Sequence, residues 1–191
     1  VFAFLMPVKV HHPERAQMDA PYILICNHQD MLDPLILMRS CYRYHIRFMG
    51  KKELASNAIT KWLFGQVLMI TVDRHHTDMG AIRSALKVLK QGHVLGIFPE
   101  GTRHKQGVMQ DMESGIAMLA LLSGAKLLPA YITGRPRLFR PIHLYYGQPL
   151  SLADLAAQGV NKESCDAVMQ RITSLYQDMV AQHQQAVAPS V

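Results

Sequence analysis

The sequence predicts an α/β fold, a single-domain sandwich in which helices flank a largely parallel or mixed central sheet. Short apolar runs alternate with longer segments of helical periodicity, and such alternation is typical of α/β proteins. The chain has 191 residues, enough to bury a sizeable core without dividing. No internal repeat, low-complexity tract or interdomain linker interrupts it. We therefore expect one domain over residues 13–185.

Seven short apolar segments have the composition expected of strands. They are residues 8–12, 22–26, 44–49, 69–72, 93–98, 127–132 and 142–146. Residues 13–20, between the first two strands, are mostly polar and begin with Pro13. We expect a loop there, because proline and polar residues commonly punctuate regular structure.

Six segments predict helices: residues 34–40, 51–55, 58–64, 77–91, 114–122 and 161–184. In the fourth, an apolar stripe recurs at helical spacing, and Gly92 follows as a stop signal. The stripe consists of Ile82, Ala85, Leu86 and Leu89. The last segment is long and amphipathic, and we expect its apolar face to pack on the core rather than bind a membrane.

The two ends of the chain differ in character from the domain. Residues 1–12 open with an apolar run of eight residues, which we expect to lie near a membrane. A run of that length is too short to span a bilayer, which needs about twenty residues. The alternative is a first strand or helix that packs on the core. Residues 186–191 are expected to form a loose tail.

Charge and composition restrict the classes of partner. The sequence has 20 lysines and arginines against 14 aspartates and glutamates, a net charge of +6, and 49% of its residues are hydrophobic. This balance suits an anionic membrane surface. No basic run or stacking-aromatic motif is present, so we expect no binding to nucleic acid. A loose basic group, either a solvated loop or a contact for lipid head groups, consists of Arg135, Arg137 and Arg140.

The cysteines and histidines indicate neither a disulfide nor a metal site. Three cysteines at irregular spacing fit a reducing cytosol: Cys26, Cys41 and Cys165. Cys26 could serve as a nucleophile near His28, but it is better explained as a small apolar residue that ends a strand. The histidine pairs at 11–12 and 75–76 lack the surrounding ligand spacing of a metal site, so we predict no metal.

The first candidate site lies between the strand at 22–26 and the helix at 34–40. It pairs a histidine with an aspartate five residues later, in the run Asn27-His28-Gln29-Asp30-Met31-Leu32-Asp33. Asp33 precedes a proline, as an N-cap residue does when proline opens a helix. A turn of this length can fold the carboxylate onto the imidazole, which would give a base with an orienting partner. The simpler alternative is that Asp33 only caps its helix and His28 only bonds the turn.

The second candidate site follows the strand at 93–98. Proline and glycine bracket a tight turn that carries an acid, a hydroxyl and a guanidinium: Pro99-Glu100-Gly101-Thr102-Arg103. Both candidate sites therefore follow the carboxyl ends of strands, where open α/β sheets place their ligands. Arg103 offers a planar fork suited to phosphate, and exposed amides around Gly101 could assist it. The alternative is an ordinary turn with a surface pair of Glu100 and Arg103.

Together, the two motifs resemble those of the 1-acylglycerol-3-phosphate acyltransferases, also called lysophosphatidic acid acyltransferases. The resemblance covers about residues 20–135 and includes two shorter blocks, Val72-Asp73-Arg74 and Leu128-Pro129-Ala130-Tyr131. It implies a glycerolipid acyltransferase-like fold with His28 and Asp33 as catalytic residues. It also implies an acceptor-phosphate site formed by Arg74, Glu100, Gly101, Thr102 and Arg103. A carboxylate beside phosphate would be repulsive, so we expect Glu100 to orient an arginine or the turn itself.

The resemblance implies transfer of a fatty acyl group from an acyl thioester to the sn-2 hydroxyl of 1-acylglycerol 3-phosphate, which gives phosphatidic acid. The co-substrate would be acyl-CoA or acyl carrier protein, with no other cofactor. The enzyme would act at the cytoplasmic face of a membrane, held peripherally or by an N-terminal segment. Two alternatives remain open. One is a related acyltransferase acting on another lysophospholipid or on glycerol 3-phosphate, and the other is a non-catalytic peripheral lipid-binding module.

Overall fold

The computed structural model describes residues 7–41, 43–51, 70–72, 79–101, 109 and 112–187. They contain a seven-stranded sheet in the order β1-β7-β6-β2-β5-β3-β4. The strands are β1 (Val8–His11), β2 (Tyr22–Cys26), β3 (Ile46–Lys51), β4 (Ile70–Val72), β5 (Val94–Ile97), β6 (Lys126–Ile132) and β7 (Ile142–Tyr146). Neighbouring strands are parallel except β6 and β7, which are antiparallel. The predicted α/β fold with a mixed sheet is confirmed, and each strand boundary lies within two residues of the prediction.

Five α-helices are present in the described residues. They are α1 (Asp33–Ser40), α2 (Met79–Lys90), α3 (Gly115–Ser123), α4 (Ala153–Ala156) and α5 (Lys162–Val187). None of the helices described is both long enough and apolar enough to cross a bilayer. The predicted helices at 51–55 and 58–64 lie outside the described residues, apart from Lys51, which ends β3.

Three segments differ from the sequence-based expectation. The polar segment at 13–20 contains a 3-10 helix, Pro13–Gln17, because proline presets its first turn and Ala16 packs into the core. The short helix α4 was not predicted, since four residues are too few to show helical periodicity. Helix α5 continues to Val187, two residues into the expected tail. Residues 1–6 of the apolar N-terminal segment lie outside the described residues, whereas Val8–His11 form β1.

The sheet separates two apolar cores, and β2 contributes to both. Its side chains alternate between the two faces of the sheet, as strand geometry requires. Ile23 and Ile25 face the core that contains residues of α2, α3 and α5. Tyr22, Leu24 and Cys26 face the core that contains residues of α1. All five side chains are buried, so β2 is held firmly between the two cores. The end of β2 therefore fixes the position at which the following turn begins.

Candidate active site

The site lies where β2, β5 and β6 end at one edge of the sheet. β2 pairs in parallel with β5 on one side and with β6 on the other. Parallel strands end at the same edge, so the residues after β2 and after β5 are brought together although about seventy residues separate them. The two motifs singled out in the sequence therefore meet in the fold.

His28 and Asp33 form a hydrogen-bonded pair after β2. His28 Nδ1 lies 3.0 Å from Asp33 Oδ2, and the same oxygen accepts the backbone N–H groups of Gln29 at 2.7 Å and Asp30 at 2.8 Å. The Asp33 side chain is fully buried, whereas 18% of the His28 side chain is exposed. A carboxylate at Nδ1 keeps the proton on that nitrogen, so Nε2 is left as the basic atom. The geometry is that of an oriented general base.

The expectation that Asp33 caps helix α1 is wrong. Leu32 occupies the cap position, and Asp33 is the first helical residue, followed by Pro34. The Asp33 carboxylate turns backwards, because the amides of Gln29 and Asp30 and the imidazole of His28 all converge on one of its oxygens. The residue therefore closes the turn that carries the base instead of capping the helix that follows.

The imidazole of His28 rests on an aromatic side chain from the neighbouring strand end. The rings of His28 and Phe98 are stacked, with centroids 4.2 Å apart and planes inclined by 25°. Phe98 in turn stacks on Phe48 of β3, with centroids 5.7 Å apart. The hydrogen bond to Asp33 restricts movement of the imidazole at its edge, and the stack on Phe98 restricts movement at its face. Sequence reasoning gave neither Phe48 nor Phe98 a role in the site, since no periodic signal distinguishes them from core aromatics.

Glu100 joins the two motifs through their backbones. Its buried carboxylate accepts the backbone N–H of His28 at 2.9 Å through Oε2 and that of Met109 at 2.7 Å through Oε1. The carboxylate of Glu100 therefore links the turn that contains His28 to the segment that contains Met109. Gly101 follows with φ +67°, a left-handed conformation that glycine adopts without strain. Gly101 N–H also donates to the carbonyl of Phe98 at 3.0 Å, which closes the tight turn expected from the sequence.

Asn27 fixes the end of β2 against the end of β6. Its buried side chain donates to the carbonyl of Ile132 at 2.9 Å and accepts the N–H of the same residue at 2.8 Å. The amide group thereby continues the hydrogen-bonding pattern of the two strands by one step. His28, the next residue, starts from a defined position. Asn27 was quoted in the motif but given no role, because its partner lies 105 residues away.

The described residues place only part of the predicted acceptor site. Glu100 bonds the backbone of His28 and Gly101 follows it in the same turn, whereas Arg74, Thr102 and Arg103 lie outside the described residues. The roles of these residues in binding substrate stay predictions. No group of three or more histidine, cysteine or acidic side chains suited to a metal ion occurs among the residues that the structure describes.

Cys26 is unsuited to act as a nucleophile. Its side chain is fully buried, and burial raises the pKa of the thiol well above its usual range, with further increases from the nearby carboxylates of Asp33 and Glu100. A thiol in that setting stays protonated and is a poor nucleophile. Cys26 therefore does not supply His28 with a thiol partner for a covalent mechanism.

Known proteins resemble this chain in sequence. The acyltransferase family model matches residues 7–133. A 1-acyl-sn-glycerol-3-phosphate acyltransferase of Bacillus subtilis is 32% identical over 157 residues, which cover 78% of this chain and 76% of the relative. One from Streptococcus pneumoniae is 28% identical over 165 residues, which cover 83% of this chain and 60% of the relative.

A solved structure has the same fold. The crystal structure of the 1-acyl-sn-glycerophosphate acyltransferase PlsC from Thermotoga maritima matches with a TM-score of 0.66 and 23% sequence identity, covering 93% of this chain and 72% of the other. At that identity the likeness supports the fold alone. The family model covers well over half of the chain, and it includes both motifs of the site. The chain therefore belongs to the acyltransferase family.

Proposed function

We propose that this protein is a 1-acylglycerol-3-phosphate O-acyltransferase, which transfers a fatty acyl group from an acyl thioester to the free sn-2 hydroxyl of lysophosphatidic acid. The product is phosphatidic acid, an intermediate of phospholipid synthesis. The observation that carries the proposal is the bond between His28 and the buried Asp33 at the sheet edge where the Glu100 turn also lies. The names of the relatives from Bacillus subtilis and Streptococcus pneumoniae support the same substrate.

The reaction follows from an oriented base beside a thioester. His28 Nε2 takes the proton of the acceptor hydroxyl as that oxygen attacks the thioester carbonyl. The C–O bond forms, and the tetrahedral intermediate collapses by breaking the C–S bond. The departing sulfur takes the proton from the imidazolium, so the base is regenerated and a free thiol leaves. Asp33 stabilises the imidazolium while it exists. No covalent enzyme intermediate is needed.

The acceptor phosphate is proposed to lie beside the Glu100 turn. Arg74, Thr102 and Arg103 would supply cationic and hydroxyl groups, and Gly101 would supply close backbone approach. The part of Glu100 would be indirect, because both of its oxygens already accept backbone N–H groups. A carboxylate with both oxygens bonded to the backbone stabilises the turn and does not face the phosphate. The acyl donor is acyl-CoA or acyl carrier protein, and no further cofactor is proposed.

We propose that the enzyme acts at the cytoplasmic face of a membrane, bound to an anionic surface. Both the acceptor and the product are lipids, so the site needs access to a bilayer. The net charge of +6 favours an anionic surface, and the apolar sequence of residues 1–6 adds affinity that salt does not screen. Peripheral binding and anchoring by the N-terminal segment are both compatible with these features.

The test is an acceptor panel with one acyl donor at a time. Release of free thiol and formation of acylated lipid are measured with lysophosphatidic acid, other lysophospholipids and glycerol 3-phosphate, using acyl-CoA and acyl carrier protein as donors. We expect thiol release that depends on lysophosphatidic acid and yields phosphatidic acid. Higher turnover with another acceptor would assign a related acyltransferase activity. Binding of lysophosphatidic acid without thiol release from either donor would indicate a lipid-binding module.

A further inference from the structure

The connection between β6 and β7 exposes two large apolar side chains at its tip. Residues 133–141, here called the β6–β7 loop, carry Leu138 with 60% and Phe139 with 68% of their surface exposed. They are the two most exposed large hydrophobic residues in the described part of the chain. Adjacent exposed apolar side chains at a loop tip are a feature of surfaces that bind a partner or a membrane.

The backbone of the loop presents these side chains outward. Arg140 N–H donates to the carbonyl of Arg137 at 3.3 Å, which closes a tight turn with Leu138 and Phe139 at its two central positions. Phe139 has φ +60°, in the left-handed region that a side chain as large as phenylalanine rarely adopts. Burial in the core does not offset the strain, since the ring is exposed. Stability of the fold thus gives no reason for an aromatic residue at this position.

Three cations surround the apolar tip. Arg135, Arg137 and Arg140 are all exposed, and residues 133–141 include no aspartate or glutamate. Within the part of the chain that the structure describes, no ion pair or side-chain hydrogen bond occupies the three guanidinium groups. Arginines beside an apolar tip match the interface of an anionic bilayer, where phosphates lie directly above hydrocarbon. Of the two explanations of the basic group that the sequence left open, these features favour lipid contact.

The loop rises from the same edge of the sheet as the candidate active site. It leaves β6 after Ile132, whose N–H and carbonyl bind the side chain of Asn27, the residue before His28. The start of β1 also lies at this edge, because Ile142 N–H donates to the carbonyl of Pro7 at 3.0 Å. A membrane that contacts the loop therefore faces the side of the molecule on which the base is located.

We propose that the β6–β7 loop docks on an anionic phospholipid bilayer, with Leu138 and Phe139 inserted among the lipid chains and the three arginines bound to lipid phosphates. The inference rests on the proposed acyl transfer to a lipid, and it names the part of the chain that brings the site to that lipid. Insertion of the two apolar residues supplies affinity that salt does not screen, whereas the arginines supply preference for anionic lipid.

Two loop variants separate these contributions, each with a matched control. Leu138→Ser with Phe139→Asn removes the apolar tip, and asparagine tolerates the left-handed backbone at that position. Leu122→Ser is its control, because Leu122 is 49% exposed at the end of α3, at the opposite sheet edge. Arg135→Gln, Arg137→Gln and Arg140→Gln together remove the cations. The control replaces three exposed lysines by glutamine at the opposite edge: Lys87, Lys90 and Lys126.

The measurement is sedimentation with vesicles of phosphatidylcholine, with and without phosphatidylglycerol, at low and high salt. We expect the apolar variant to bind both kinds of vesicle at least about tenfold more weakly. We expect the arginine variant to lose roughly fivefold per cation, about a hundredfold in all, on anionic vesicles at low salt. Equal loss in the lysine control would show that net charge alone sets the affinity, and it would overturn the proposal. Wild-type binding by both loop variants would overturn it as well.

A probe in the loop tests insertion directly, and a soluble substrate separates this proposal from the proposed function. Phe139→Trp adds a second tryptophan to Trp62, and we expect spin-labelled lipid chains to quench the added emission. Absence of that quenching on anionic vesicles would contradict insertion.

Transfer to a lysophosphatidic acid short enough to stay monomeric in water should be equal in wild type and loop variants. If the wild type does not acylate this acceptor, the proposed function fails independently of how the loop binds vesicles.

Discussion

At the scale of single residues, one carboxylate oxygen of Asp33 holds the imidazole of His28 in position. Asp33 Oδ2 receives the imidazole of His28 and two backbone N–H groups, and Asp33 is fully buried. Replacing Asp33 by asparagine keeps the size of the side chain and an oxygen that can accept the two amides. It removes the negative charge that stabilises the imidazolium.

We therefore expect Asp33→Asn to lower kcat by about 10²-fold or more while the protein stays folded. Steady-state thiol release measures kcat, and a thermal melt followed by circular dichroism measures stability. The matched control is Asp166→Asn, on the helical surface of α5. Full activity in Asp33→Asn would mean that the aspartate only shapes the turn.

Glu100 acts at the same scale by positioning other groups. Each of its oxygens accepts one backbone N–H, from His28 and from Met109, so Glu100→Gln leaves one of these buried amides without an acceptor. An unpaired buried N–H costs about 1–3 kcal/mol of stability. We expect chemical denaturation of the Glu100→Gln variant to show this loss of stability. We also expect kcat to decrease about tenfold, because His28 is displaced.

The Michaelis constants distinguish positioning from direct contact with the phosphate. If Glu100 acts through the turn, kcat falls while the KM for lysophosphatidic acid changes little. The control variant Glu163→Gln, in the first turn of α5, should remain within about 0.5 kcal/mol of wild type. A Glu100→Gln variant with wild-type stability and kcat would remove the residue from this account.

At the scale of secondary-structure elements, the imidazole depends on how β3 packs against β5. A Cβ added at Gly96 of β5 would lie 2.5 Å from the ring of Phe48 and 2.8 Å from Ile46 Cγ2. Gly96→Ala therefore displaces Phe48, which stacks on Phe98, the ring on which His28 is stacked. Overpacking of this kind typically costs about 1–3 kcal/mol.

We expect Gly96→Ala to lose stability in that range and also to lose kcat, although Gly96 is part of neither motif. Gly115→Ala is the control, since no atom lies within 4 Å of the Cβ that would be added there. Denaturation and thiol release are measured on both variants. Loss of stability with unchanged kcat would show that the aromatic stack does not position the base.

The junction of β1, β7 and α5 should respond to pH. His11 Nε2 lies 2.9 Å from His143 Nδ1, and His183 bonds the hydroxyl of Tyr145. Burial, followed by the charge of His143, lowers the pKa of His11 and of His183. Lowered pKa values mean that the folded state binds fewer protons than the unfolded state as the pH falls through about 6.5.

The contribution of this junction to the free energy of unfolding is therefore fully present above about pH 6.5, and it decreases as the pH falls below that value. Urea denaturation at pH 7.5 and pH 5.5 measures the difference in the free energy of unfolding. We expect the variant with His11→Gln and His183→Gln to show a smaller decrease than wild type. An equal decrease in both proteins would assign the pH dependence to other groups.

At the scale of the whole molecule, local patterns in the sequence predict the elements, and pairing of distant strands determines the site. The alternation of apolar runs gives all seven strands to within two residues, and the rule that ligands bind beyond the carboxyl ends of strands brings the two motifs together. The bond from Glu100 to the backbone of His28 and the pairing of Asn27 with Ile132 do not follow from local pattern. Each joins groups whose proximity arises only when β2, β5 and β6 align.

The order of the sheet also places the candidate base and the loop proposed to bind a membrane on one side of the molecule. β2, β5 and β6 end at the edge that carries His28, the Glu100 turn and the start of the β6–β7 loop. The antiparallel direction of β7 relative to β6 makes that loop a short connection at the same edge. A lipid acceptor and the bilayer that contains it can thus meet the enzyme from one direction.

The central claim, that His28 is the general base of acyl transfer, is tested most directly by thiol release in a His28→Ala variant. The control is His93→Ala, which precedes β5 at the opposite edge of the sheet. With lysophosphatidic acid and an acyl thioester, we predict a loss of about 10²–10⁴-fold in kcat for His28→Ala, wild-type activity for His93→Ala, and an unchanged fold by circular dichroism. Activity of folded His28→Ala within about threefold of wild type, well short of the contribution expected of a general base, would contradict the account.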